Sequence, residues 1–169
     1  VGQSVVADEK PIADPIVEKA VRKKLKKPEG ELTEVDLEKV TGLSLHLTGI
    51  TDAGLKDVAK LQKLIGLNLS GTKITDAGLK EVAKLKQLTW LDLPIQTTDA
   101  GLKDVAKLQE LERLNLFGLK TTDAGLKEVA KLQKLTTLNL GFTLITDAGL
   151  KELAKLQQLT DLSLVVTLI

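Results

Sequence analysis

The sequence predicts an α/β solenoid, with a curved parallel β-sheet on its concave face, α-helices on its convex face and a helical cap at its amino-terminal end. Three observations predict it. The block Thr-Asp-Ala-Gly-Leu-Lys begins at Thr51, Thr75, Thr98, Thr122 and Thr146, at intervals of 24, 23, 24 and 24 residues. A Leu-x-Leu motif keeps the same beat at Leu43/Leu45, Leu67/Leu69, Leu91/Leu93, Leu114/Leu116, Leu138/Leu140 and Leu162/Leu164. Within each copy the apolar period changes from two to helical. A repeat of this length is one supersecondary unit that buries its apolar side only against its neighbours.

In the copy Leu64–Gln87, the Leu-Ile-Gly-Leu-Asn-Leu half alternates as a half-buried strand does. The second half places Leu79, Val82, Ala83 and Leu85 at helical spacing. Thr75 or Asp76 caps that helix, and Lys84 and Lys86 follow in its last turn. Gly78 lies in the first turn, where propensity disfavours it, and recurs as Gly54, Gly101, Gly125 and Gly149. Its recurrence predicts close approach of the helix to the strand layer. A helix is broader than a strand, so the stack curves with the sheet inside. The solenoid is expected over residues 40–169, as about five full repeats plus a terminal strand.

Ahead of it, Asp14-Pro15 reads as a helix start, with Ile16, Ala20, Val21 and Leu25 as its apolar stripe. Pro28 and Gly30 stop this helix, and Thr33-Glu34-Val35-Asp36 opens a second short one. Residues 14–39 therefore form a lid over the open apolar end of the first repeat. The basic cluster Arg22–Lys27 is read as a solvated face near a helix C-terminus. Residues 1–13 are read as a flexible tail. Val5, Val6 and Ala7 are similar to the end of a signal-cleavage site, which would place the protein outside the cytoplasm; otherwise it is cytoplasmic.

Bulk composition removes several functions. The formal charge of +1 supplies no large field for nucleic acid or anionic lipid, and the absence of Cys removes thiolate chemistry. No apolar run is long enough for a membrane-spanning helix. Neither a metal-ligand cluster nor a nucleotide-binding fingerprint is present, so no cofactor is expected. His46 is the sole His and has no nearby Ser or Cys to activate. Asp92 and Asp161 stand three repeats apart, too far for paired-carboxylate catalysis.

Residues 40–169 resemble the leucine-rich-repeat superfamily. Its pattern L-x-x-L-x-L-x-x-N-x-L appears as LIGLNLSGTKI and LTTLNLGFTLI, with Thr48, Thr72, Thr143 and Thr167 at the Asn position. The resemblance implies a right-handed solenoid in which those hydroxyls form a reduced version of the family's Asn ladder. The TDAGLK helix starts resemble bacterial members, and Asp14–Val40 looks like an internalin-type cap. Members bind proteins, peptides, glycans or lipids, so the resemblance leaves the ligand open.

Function is sought where the copies differ. Convex positions barely change, whereas three inward strand columns vary: Gly42, Gly66, Trp90, Arg113, Thr137, Asp161; then Ser44, Asn68, Asp92, Asn115, Asn139, Ser163; then His46, Ser70, Pro94, Phe117, Gly141, Val165. The next column reads Leu47, Gly71, Ile95, Gly118, Phe142, Val166. The only Trp, both Phe and the only His fall in these four columns. Aromatic residues beside an Arg have the composition of a binding hot spot. The expected ligand-binding set is His46, Trp90, Asp92, Ile95, Arg113, Asn115, Phe117, Asn139, Phe142, Asp161 and Val165, centred on Trp90, Asp92, Arg113, Asn115 and Phe117. There the third repeat is one residue short and carries Pro94, while Thr97 and Thr121 replace the usual Ile, weakening apolar support.

The sequence thus predicts a non-catalytic module that binds a protein or peptide on its concave face and binds no nucleic acid. The alternatives are a scaffold that self-associates through its uncapped last strand, and the sensing segment of a larger receptor or enzyme.

Overall fold

The computed structural model describes residues 10–165. Two helices, α1 (Pro15–Leu25) and α2 (Glu34–Glu38), precede β1 (Gly42–Ser44). Strands and helices then alternate: α3 (Leu55–Val58), β2 (Gly66–Asn68), α4 (Asp76–Val82), β3 (Trp90–Asp92), α5 (Asp99–Val105), β4 (Arg113–Asn115), α6 (Asp123–Val129), β5 (Thr137–Asn139), α7 (Asp147–Leu150) and β6 (Asp161–Ser163). The six strands form one parallel sheet in chain order, β1 to β6. Register follows the repeat, pairing Leu43 with Leu67, Leu67 with Leu91, Leu91 with Leu114, Leu114 with Leu138 and Leu138 with Leu162.

The core is one continuous file of aliphatic side chains between sheet and helices. Leu67, Leu69, Leu85, Leu88, Leu114, Leu116, Leu132 and Leu135 are all fully buried or nearly so. Each such Leu contributes roughly 1.5–3 kcal/mol of burial. In β6 Leu162 is 37% exposed, whereas its equivalent Leu138 in β5 is 1% exposed. Among the described residues no helix is long and apolar enough to cross a membrane.

A ladder on the convex side ties each repeat to the next. Asp52 accepts from the Thr75 backbone N–H at 2.8 Å and from its hydroxyl at 2.6 Å. The same pair of bonds joins Asp76 to Thr98, Asp99 to Thr122 and Asp123 to Thr146. Each Thr is also the N-cap of its own helix, its Oγ accepting from the Ala two residues on at 3.2–3.3 Å. The recurrent Gly belongs to this ladder. A Cβ on Gly78 would stand 2.3 Å from Asp52 Oδ1, and one on Gly101 the same distance from Asp76 Oδ1. The close approach is therefore to the preceding repeat's aspartate and leucine, and the expectation of contact with the strand layer is corrected.

The cap imitates a missing repeat. Asp14 caps α1 through its Oδ1, accepting from Ile16 and Val17 N–H at 2.9 and 3.0 Å. Its Oδ2 lies against Gly54 as Asp52 lies against Gly78. Asp57, 7% exposed, accepts from the N–H groups of both Ala13 and Asp14 at 2.7 Å and pairs with Lys60. Ile12 is 1% exposed in the core, so the packed structure begins inside the segment read as a tail. Residues 1–9, with the export reading of Val5–Ala7, lie outside the described residues. In α2, Thr33 and Asp36 form a reciprocal capping box, and Lys27 Nζ meets Asp36 at 2.7 Å.

Three carboxyls are held below the ordinary carboxylate value. For Asp36 the main cause is the Lys27 hydrogen bond, and for Asp123 it is the Thr146 hydroxyl. Burial pushes Asp57 up, but the Lys60, Asp14 and Ala13 hydrogen bonds outweigh it. A depressed carboxyl contributes stability that is complete above about pH 5 and drains away as pH falls through the folded pKa. Urea midpoints should therefore be flat from neutrality to about pH 5 and fall below it. At pH 7, Asp57→Ala strands two backbone N–H groups and should cost about 1–3 kcal/mol; Asp99→Ala, which frees the Thr122 N–H and hydroxyl, should cost a similar amount. An unchanged midpoint in Asp99→Ala would remove the ladder as a source of cohesion.

Candidate functional site

The strand-exit turns decide which inward side chains are free. In the second repeat Asn68 Oδ1 accepts from Ser70 N–H at 2.9 Å, and in the fourth and fifth Asn115 and Asn139 accept from Phe117 and Gly141 N–H at 3.0 Å. These Asn oxygens close the turn after their strands. The third repeat cannot do this. Pro94 has no N–H, so no turn donor faces the Asp92 carboxylate. Neither Asp92 nor Arg113 on the adjacent strand has an ion pair among the described residues. Together with Trp90, Asn115, Thr137 and Asn139 they line a shallow groove of about 410 Å³.

The family-pattern Thr residues act within their own turns. Thr48, Thr72 and Thr143 donate their hydroxyls to Leu45, Leu69 and Leu140 carbonyls at 2.6–2.7 Å. They form turn locks rather than a reduced ladder along the array. Thr167 lies outside the described residues.

Beyond the strands the chain takes left-handed backbone at Leu47 (φ 55°), Gly71 (φ 69°), Gly118 (φ 73°) and Phe142 (φ 57°). Glycine adopts this conformation freely; a bulky side chain there is strained by roughly 1–2 kcal/mol. Leu47 and Phe142 are nonetheless 73% and 51% exposed, so neither recovers that strain by burial. Phe142 meets Phe117 edge-to-face, with ring centroids 5.1 Å apart and planes at 66°. The pair exists because Phe117-Gly118 in one repeat faces Gly141-Phe142 in the next. A Cβ on Gly141 would stand 2.9 Å from the Phe117 ring. With Ile95 and Val165, both more than half exposed, these side chains form an apolar ridge along the strand-exit rim.

Of the expected central set, Trp90, Asp92, Arg113 and Asn115 share the shallow groove, while Phe117 stands apart on the rim. Trp90 leans away from Phe117, its indole lying across Gly66, where a Cβ would fall 1.9 Å from Nε1. It separates the groove around Asp92 and Arg113 from a larger cavity of about 970 Å³ beside α1. His46 opens onto that second cavity, and Asp161 stands exposed on β6.

His46 does have a serine neighbour, contrary to expectation. Its Nδ1 lies 2.8 Å from Ser70 Oγ and 3.0 Å from the Ser70 carbonyl oxygen. A carbonyl only accepts, so Nδ1 carries the proton; Ser70 Oγ donates onward to Asn68 Oδ1 at 2.6 Å. The serine proton points away from the imidazole, which is opposite to what a nucleophile and base require. Residues 24 apart are neighbours in this fold, and the third inward column already placed His46 beside Ser70.

Thr97 and Thr121, 1% and 0% exposed, occupy the Ile column with hydroxyls that have no hydrogen-bond partner among the described residues. They put polar atoms behind the third and fourth strands where other repeats carry Ile50, Ile74 and Ile145.

With this geometry in place, comparisons with known proteins agree on the fold. The sequence model described as "Leucine Rich repeat" matches residues 60–83 and 131–154. The fold is a leucine-rich-repeat solenoid. Internalin C2 from Listeria monocytogenes is similar at TM-score 0.72 and 31% identity, over 89% of this chain and 64% of that one. Listeria monocytogenes internalin F is similar at TM-score 0.58 and 21% identity, over 92% of this chain and 57% of that one. TLR13, in a complex with ssRNA13, is similar at TM-score 0.60 and 21% identity, over 86% of this chain and 21% of that one. This chain thus spans less than two thirds of either internalin's length. No curated protein matches the sequence. The leucine-rich-repeat chain is internalin-like, consistent with a bacterial origin, and its similarity to internalin C2 covers more than its repeats alone, reaching the helical cap.

Replacing each orphan hydroxyl by a methyl should stabilise this solenoid. Thr97→Val and Thr121→Val are expected to gain about 1 kcal/mol each, because a buried unsatisfied polar group is removed without loss of volume. Urea denaturation checks this, and a loss of stability would mean that the hydroxyls have partners.

Proposed function

We propose that this chain is a non-catalytic recognition module that binds a protein or peptide on the concave face and strand-exit rim. The observation that carries the reading is the exposed Phe117–Phe142 pair, supported by a Gly placed for it and by strained backbone at Phe142. Exposed aromatics that cost the scaffold stability are explained by a partner that covers them. Ile95 and Val165 extend the apolar strip, while the unpaired Asp92 and Arg113 supply charges of both signs beside it. Asn115 and Asn139 take part through the amide N–H groups that their turns leave unused. A repeat scaffold with a uniform convex side and a variable inner wall suits this role.

Nucleic acid is the weaker reading. A phosphate backbone laid along the inner wall would meet Asp92 and Asp161 with only Arg113 on the strands to neutralise it. The likeness to TLR13 concerns the fold. Catalysis is disfavoured by the direction of the Ser70 proton.

A random-peptide display selection on the immobilised chain tests the proposal. Selected peptides should bind the Phe117→Ser/Phe142→Ser variant about tenfold or more weakly, with melting little changed because both rings are half exposed. Equal binding to the double variant would remove the rim from the binding surface.

A further inference from the structure

The cavity of about 970 Å³ between α1 and β1 is a different kind of site from the apolar rim. Its floor and one wall are apolar, built from Ile16 and Ala20 of the cap helix, Leu43, and the Trp90 indole that reaches across Gly66. Glycine at positions 42 and 66 of the first inward column leaves the space; any other residue at 66 would displace the indole. Lys19, Lys23 and Lys24 line the opposite side, and no carboxylate is among the lining residues.

These lysines share one recess and none of them has a carboxylate partner in it. Arg22 is paired with Glu18 and Lys27 with Asp36. On the convex side Lys60, Lys84, Lys107, Lys131 and Lys155 each hold an acidic partner three residues earlier. Lys19, Lys23 and Lys24 have no ion pair among the described residues, and the indole N–H of Trp90 has no acceptor among them. Lys23 and Lys24, part of the basic cluster read as a solvated face, are exposed as expected and border this recess.

We propose that this corner binds an acidic peptide segment. A Glu or Asp carboxylate is held by Lys19, Lys23 and Lys24, and an adjoining aliphatic side chain lies against Trp90, Leu43 and Ile16. The volume fits a few residues and is within the range of small-ligand pockets. Charge complementarity requires an anion, and the apolar floor requires that it carry hydrocarbon. A longer polyanion would have to continue along the inner wall past Asp92, and a bilayer is too flat to enter a recess behind a helix. The site does not use Phe117 or Phe142, so it stands or falls separately from the rim.

Trp90 is the only Trp of a chain without Tyr, and its fluorescence reports on the cavity directly. The probe is N-acetyl-Glu-Leu-Glu-Leu-amide, titrated beside its Gln-Leu-Gln-Leu analogue. The acidic peptide should give a saturable change, with the analogue about tenfold or more weaker and the affinity falling as salt rises. The Lys19→Gln/Lys23→Gln/Lys24→Gln variant, at exposed positions without an ion pair among the described residues, should melt as the parent does and bind about tenfold or more weakly. The Phe117→Ser/Phe142→Ser variant should titrate unchanged. No saturable change with the acidic peptide, equal affinity for the neutral analogue, or unchanged affinity in the lysine variant would overturn the proposal. So would tighter binding to oligouridylate or to phosphatidylserine vesicles than to the peptide.

Discussion

The contact on which the structure depends is the carboxylate of one repeat received by the threonine that opens the next. A helix of seven residues cannot persist alone, since nucleation is costly and few intrahelical bonds follow. From α4 to α7 each helix start is fixed twice, by its own Thr hydroxyl and by the preceding Asp placed near the positive end of the helix dipole. The Asp also opens its own helix, so one residue serves two repeats. That dual use explains the cost of a glycine in the first turn. Backbone freedom is surrendered at Gly78 and its equivalents so that the carboxylate can close in to where a Cβ would be.

A ladder of this kind has ends, and the amino-terminal end shows how one is satisfied. Asp14 stands over Gly54 as though it were the aspartate of an earlier repeat, while Asp57 gathers the backbone of Ala13 and Asp14. The cap is thus more than an apolar cover. It reproduces the polar geometry that a repeat expects from its predecessor. By closing the end with a helix that projects beyond the first strand, it also creates the recess beside β1. Stability and a binding-shaped cavity arise from one packing solution.

The fold could be read from the sequence because the same residues recur and repeat packing is local: the parallel sheet followed from the repeat spacing, and the cap from the helix starts at Asp14-Pro15 and Thr33. The inward columns were legible for the same reason, since period two separates Leu43 and Leu45 from Ser44. What spacing could not give was direction. Trp90 leans toward α1 because Gly66 is empty, and Phe117 leans the other way because Gly141 is; a column assignment carries no rotamer. Asp57 was hidden because its repeat matches the one containing Asp104, and only the absence of an earlier repeat changes its partners. His46 and Ser70 were missed because neighbours in this fold are distant in sequence.

The irregular features concentrate where the scaffold can bear them. Thr97 and Thr121, the shortened turn at Pro94 and the unpaired Asp92 all lie in the third and fourth repeats. In a linear array stability is close to a sum of repeat and interface terms. An interior repeat is held by two interfaces, an end repeat by one. A buried hydroxyl without a partner costs about 1–3 kcal/mol, comparable to the hydrogen-bond contribution of a single ladder rung. In a repeat packed on both sides that cost is supported by two interfaces. The third and fourth repeats each have a neighbour on both sides that supports such variation, and it is there that Asp92 is released from its turn. Pro94, which offers no N–H after β3, frees the charge, and the repeats on either side keep the strand in register.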